Sequence, residues 1–167
     1  KLNHTEMNSE SSCLCQNGWE TQGNECIMCA AGKFAQEEDT VSSTDNNYQQ
    51  VCLDCSPGEY QDTAGSTHCI SCVAGKYTDE TTSTNCTLCE AGKFQASGSQ
   101  TLCDLCATGS YAAQEASTEC TTCASGKFQN QNGATLCEEC TAGKSQISTG
   151  QSTCDTGGAG QYTSGTA

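Results

Sequence analysis

Cysteine sets the terms for this chain, because it recurs on a fixed step. From Cys52 onward a cysteine returns at Cys69, Cys86, Cys103, Cys120, Cys137 and Cys154, each time 17 residues after the last. All but the last open a Cys-x-x-Cys pair, completed by Cys55, Cys72, Cys89, Cys106, Cys123 and Cys140. One earlier pair, Cys26 and Cys29, has the same form but is followed by a longer interval. Self-similarity at a short fixed period is the mark of a repeat architecture, in which a unit leans on its neighbours instead of on a core of its own. Seventeen cysteines in 167 residues also place the chain with secreted disulfide scaffolds, since such a density is rare where thiols are kept reduced.

The residues after each pair repeat too. Small-Gly-Lys-aromatic stands at Ala31-Gly32-Lys33-Phe34, Ala74-Gly75-Lys76-Tyr77, Ala91-Gly92-Lys93-Phe94 and Ser125-Gly126-Lys127-Phe128, with variants at Pro57-Gly58-Glu59-Tyr60, Thr108-Gly109-Ser110-Tyr111 and Ala142-Gly143-Lys144-Ser145. A small residue or proline before glycine is the chemistry of a turn whose second central residue has φ > 0. The aromatic then starts a short strand. A second turn signal lies four residues before a closing cysteine at Gly65, Gly133 and Gly150, and five before at Gly98.

Each unit therefore reads as turn, strand, turn, strand, crossed by disulfides. The fold class expected is a small disulfide-rich one: an elongated rod of tandem short β-hairpin repeats with almost no helix and no large hydrophobic core. Strands of four or five residues at ~3.3 Å each give about 10–15 Å of rod per unit. The segments are 1–12, a leading piece; 13–26, a small module discussed below; 27–52, a first repeat with a long polar loop (Glu37 to Asn47); 53–154, six 17-residue repeats; and 155–167, a degenerate last repeat.

Composition narrows the function. Twenty Asp plus Glu face six lysines and no arginine, for a net charge of -14. Nucleic acid and anionic membrane surfaces both call for clustered Lys or Arg, so neither is a partner, and no apolar run is long enough to insert in a bilayer. Catalysis finds no constellation: the two histidines, His4 and His68, stand in polar stretches, and the carboxylates fall on variable positions. The chain reads as no enzyme and needs no cofactor or metal.

The repeat also narrows the cysteine pairing, though spacing alone does not fix it. If each second cysteine bonds the first of the next pair, the bonds are Cys29–Cys52, Cys55–Cys69, Cys72–Cys86, Cys89–Cys103, Cys106–Cys120, Cys123–Cys137 and Cys140–Cys154, and every unit is treated alike. The array's end fits: where the period calls for one more opening cysteine, the chain has Gly157. A loop of about 15 residues closed this way removes roughly 3 kcal/mol of entropy from the unfolded chain. A zinc ribbon is the rival for paired Cys-x-x-Cys, but seven consecutive pairs do not divide into the two pairs a zinc ion takes.

Two resemblances follow. Cys13-Leu14-Cys15-Gln16-Asn17-Gly18-Trp19, running to Cys26, resembles the last third of an epidermal-growth-factor-like module. That likeness implies a Cys15–Cys26 bond and leaves Cys13 unpaired or bonded outside the chain. The run Cys55-Ser56-Pro57-Gly58-Glu59-Tyr60 through Gly65-Ser66-Thr67 to Cys69 and Cys72, with its copies over about residues 26–162, resembles the ephrin-receptor-like or tumour-necrosis-factor-receptor-like cysteine-rich repeat. Such repeats occur in receptor stalks and large cell-surface proteins, which implies a secreted or surface location.

Two N-glycosylation triplets, at Asn3 and Asn85, are candidate sugar sites. The reading favoured is an extracellular structural protein, a stalk or a subunit of a surface glycoprotein filament such as a mastigoneme. Its partners would be copies of itself, other extracellular glycoproteins, and glycans. The alternative is a receptor or adhesion ectodomain for a protein ligand, using Trp19 and the loop from Glu37 to Tyr48.

Overall fold

The computed structural model describes residues 15–22, 25–38 and 49–156. Every strand among them belongs to a two-stranded antiparallel hairpin, and no helix occurs there. By internal contact the chain divides into two compact units, Lys1–Ser71 with Glu80–Cys86, and Cys72–Asp79 with Thr87–Ala167.

The first unit begins with two larger hairpins. Strands β1 (Trp19–Gln22) and β2 (Glu25–Met28) pair with Trp19 opposite Met28. Strands β3 (Lys33–Glu38) and β4 (Gln49–Asp54) form the longest ladder, with Ala35 opposite Cys52. β4 lies beside the front hairpin: the buried Gln50 turns its amide nitrogen to the Gln16 and Trp19 carbonyl oxygens, 2.8 Å from each, and Cys52 N donates to Glu20 Oε2.

From Cys55 onward each repeat keeps only two residues per strand, from Glu59–Tyr60 with Ile70–Ser71 to Lys144–Ser145 with Asp155–Thr156. This is shorter than the four or five expected, and the strand starts at the lysine position, one residue before the aromatic. The reason is competition for backbone donors. In the repeat opened by Cys89, the chain leaves its own hairpin after Phe94, and Gln95 N donates to Ser117 O of the next repeat. Ala112 to Ala134 and Gln129 to Gln151 do the same.

The turn before each strand follows the sequence closely. Lys93 N donates to Glu90 O, closing a turn whose third residue, Gly92, has φ +87°. The second turn differs from expectation in one repeat. Its left-handed residue is Gly65, Gly133 or Gly150 where glycine is available, but Ser99 (φ +58°) where Gly98 was read as the signal. Thr82 (φ +60°) and Ala116 (φ +56°) fill the same place in their repeats. A non-glycine there is strained by about 1–2 kcal/mol. A backbone bond to the preceding repeat holds it regardless: Ser99 N donates to Cys72 O, and Ala116 N to Cys89 O.

No wide apolar core exists among the described residues. The side chains most fully buried are half-cystines, Cys29, Cys55, Cys72, Cys89, Cys106 and Cys123.

Candidate functional site

What these repeats build with care is the junction between one and the next, and it starts at the opening half-cystine. Bonds join Cys29–Cys52, Cys55–Cys69, Cys89–Cys103, Cys106–Cys120, Cys123–Cys137 and Cys140–Cys154, and Cys72 and Cys86 are half-cystines as well. In every repeat before the one opened by Cys140, the opening cysteine is sealed inside while its partner near the loop end is half-exposed, as with Cys89 and Cys103. With these cysteines oxidised, none is a thiolate that could take zinc.

Three backbone bonds then tie neighbours together. In the second unit, Gly92 N donates to Ala112 O at 2.8 Å, Ala116 N to Cys89 O at 2.7 Å, and Cys106 N back to Gly92 O at 3.0 Å. In the first unit the same three run from Gly32 N to Gln61 O, Gly65 N to Cys29 O, and Cys55 N to Gly32 O.

The turn glycine reaches one repeat further. A Cβ on Gly92 would stand 2.1 Å from the carbonyl oxygen of Gly133, on Gly75 2.3 Å from that of Ala116, and on Gly32 2.1 Å from that of Thr82. Glycine is therefore required twice over, by its positive φ and by a carbonyl packed onto its bare face. Within each unit, repeats therefore touch the next but one as well as the next, a longer reach than leaning on immediate neighbours requires.

The front segment obeys the same rules. Trp19 N donates to Gln16 O, as Lys33 N does to Ala30 O; Cys29 N donates to Gly18 O, as Cys55 N does to Gly32 O. A Cβ on Gly18 would meet Gly65 O at 1.9 Å. Residues 15–28 thus act as a shortened first repeat, whose bond, Cys15–Cys26, spans 11 residues instead of 14. The signal was present in the sequence: Cys15 to Gly18 has the same spacing as Cys29 to Gly32.

The loop of each repeat carries a feature that the turn pattern did not reveal. Gln95 is 6% exposed; its Nε2 donates to Leu102 O at 2.9 Å, and its Oε1 accepts from Ser97 N at 3.1 Å. One side chain thus brackets the loop from inside. Gln61 does this for Thr63 and His68, Gln129 for Gln131 and Leu136, and Gln146 for Ser148 and Thr153. Thr78 and Ala112 occupy this place in the other two 17-residue repeats. A glutamine six residues after the opening cysteine was the available clue.

The charged groups lie outside. Lys33 pairs with Asp54 and Lys127 with Glu139 across their hairpins, and Lys93 with Glu90 within its turn at 2.8 Å. The hydrogen bond and charge of Lys93 hold the exposed Glu90 carboxyl below its ordinary range, and those of Glu90 hold the Lys93 ammonium above its own. Among the described residues no cluster of His, Cys, Asp and Glu is set to hold a metal ion, and no helix is long and apolar enough to cross a membrane.

Of the other residues singled out, His68 and Asn85 are exposed, and Trp19 is half-buried at the start of β1. Of the long loop, Glu37 and Glu38 end β3. Cys13, Asn3, His4, the remaining loop up to Tyr48, and the last stretch from Gly157 lie outside the described residues.

Comparison with protein families gives one match. The sequence model described as tyrosine-protein kinase ephrin type A/B receptor-like matches residues 43–85, 81–119 and 109–155, in tandem. None of the curated proteins matches the chain.

Proposed function

We propose that this chain, which belongs to the ephrin-receptor-like family of cysteine-rich repeats, is an extracellular structural protein: a disulfide-stapled stalk, or a subunit of a surface glycoprotein filament of the mastigoneme kind. The disulfide-rich repeats fit an extracellular setting. One observation supports the structural role above others. The exposed residue before the closing cysteine is His68, Asn85, Leu102, Glu119, Leu136 or Thr153, six places with little chemistry in common, while the bonded positions beneath them keep one geometry. A surface tuned to one ligand would hold its chemistry constant at some exposed place; a spacer has only to keep its interior.

Assembly would join copies of this chain, or this chain and other extracellular glycoproteins, and at -14 net charge it needs a divalent cation or salt to offset repulsion. The test is electron microscopy and sedimentation of the secreted chain, with and without calcium. Ordered filaments support the reading. Leu102, Leu105 and Leu136, each more than half exposed, favour a second reading as a receptor or adhesion ectodomain. Dispersed monomers that bind a protein ligand saturably would establish that one instead.

A further inference from the structure

An asparagine side chain in this fold can be put to use. Asn132 Oδ1 accepts from Thr108 N of the preceding repeat at 3.0 Å. Asn85 is different. It is exposed, and its amide has no hydrogen-bond partner among the described residues. It also heads the triplet Asn85-Cys86-Thr87, and Thr87 is exposed too. Asn-x-Thr, with x other than proline, is the acceptor triplet for N-linked glycans in a secreted chain.

The place can carry a large group. In the repeats opened by Cys55, Cys89, Cys123 and Cys140 the fold uses the main-chain oxygen here, as the acceptor of the buried glutamine. Among the described residues the side chain bonds nothing beyond its own loop, His68 Nδ1 reaching only the adjacent Thr67 Oγ1 at 3.4 Å, which is why histidine, leucine, glutamate and threonine all stand there. Thr87 has the same latitude: Ile70, Asp104, Thr121, Glu138 and Asp155 are its counterparts.

We propose that Asn85 is an N-glycosylation site. The proposal rests on the extracellular reading above. In the transfer, Asn85 Nδ2 forms a bond to the anomeric carbon of an oligosaccharide carried on a lipid diphosphate. The bond from that carbon to the diphosphate oxygen breaks, the lipid diphosphate leaves with the electron pair, and the amide nitrogen gives one proton to a base of the transferase. Cys86 adds a constraint on timing, because it stands inside the triplet and is a half-cystine in the folded chain. The transferase must act before the bond at Cys86 closes, so slowing oxidation raises occupancy.

The experiment expresses the full chain, with Asn3→Gln to remove the other triplet, in secreting eukaryotic cells. Intact mass before and after peptide N-glycosidase, peptide mapping of position 85, and a free-thiol count are read together. The expected result is one glycan whose removal converts asparagine to aspartate at position 85. Thr87→Ser keeps it; Asn85→Glu and Thr87→Asp, both borrowed from other repeats, abolish it with the thiol count unchanged. A secreted, fully oxidised chain with unmodified Asn85 overturns the site alone. A chain retained in the cell with open thiols overturns the extracellular reading, and the site with it.

Discussion

The repeat opened by Cys89 and the one opened by Cys106 share a disulfide spacing, a turn glycine and the same bonds to their neighbours, yet differ inside the loop. The first is bracketed by Gln95; the second has the buried Ala112, and Ser117 Oγ donating to Gln114 O at 2.8 Å serves part of the loop instead. That both fold to the same backbone shows that the bracket orders a loop and the junctions define the repeat. The loop's own stability should then differ between two units whose outlines are the same.

The sharpest test removes the staple from each. Cys89→Ser with Cys103→Ser, and Cys106→Ser with Cys120→Ser, should each cost about 3 kcal/mol in a denaturant titration. Hydrogen exchange should separate them, with protection surviving around Gln95 to Leu102 but lost from Ala112 to Glu119. Equal loss in both would erase the distinction. Next in size is Gln95→Ala, which leaves Leu102 O and Ser97 N without their partner and should cost about 1–3 kcal/mol. The converse change, Ala112→Gln, should add about 1 kcal/mol if the new amide reaches Gln114 N and Glu119 O. A loss there would mean that Ala112 is fixed by packing against its neighbours.

Acid gives the smallest effect. Glu90 has its carboxyl lowered, so its contribution is present above the unfolded carboxylate pKa and is lost as pH falls through the lower folded value. Lys93 is raised, so its share is lost only as pH rises through the elevated folded value in alkali. In the Cys106 repeat the equivalent turn is closed by Ser110 Oγ donating to Ala107 O, which does not titrate there. Acidification should thus shift exchange protection slightly in the first turn and not in the second, and Glu90→Gln should abolish the shift.

Much of this was legible in the chain, and what was not has a physical cause. The 17-residue step, the turn glycines and the pattern of short hairpins are local features, written in residues that sit next to one another. Strand length was overestimated because alternation within a unit says nothing of donors captured by the following one, as Gln95 N is by Ser117 O. Ser99, Thr82 and Ala116 were missed because left-handed backbone is usually marked by glycine, and here neighbouring repeats impose it. Trp19 drew attention to a growth-factor-like pattern, whereas the Cys15-to-Gly18 spacing was the informative part. The glutamine bracket was hidden in a polar background where one more Gln carries no signal until the repeats are laid over one another.

The serial order of the disulfides, each closing before the next opens, has a mechanical consequence. Under tension, the covalent route through a repeat crosses from Cys55 to Cys69, 5.7 Å between Cα atoms, and then takes three residue steps to Cys72. At roughly 3.5 Å per step that is about 16 Å, against about 60 Å for the same 17 residues with the bond open. However hard it is pulled, an oxidised array can pay out only about a quarter of its sequence, so it acts as a leash of nearly fixed length whose slack is released by reductant.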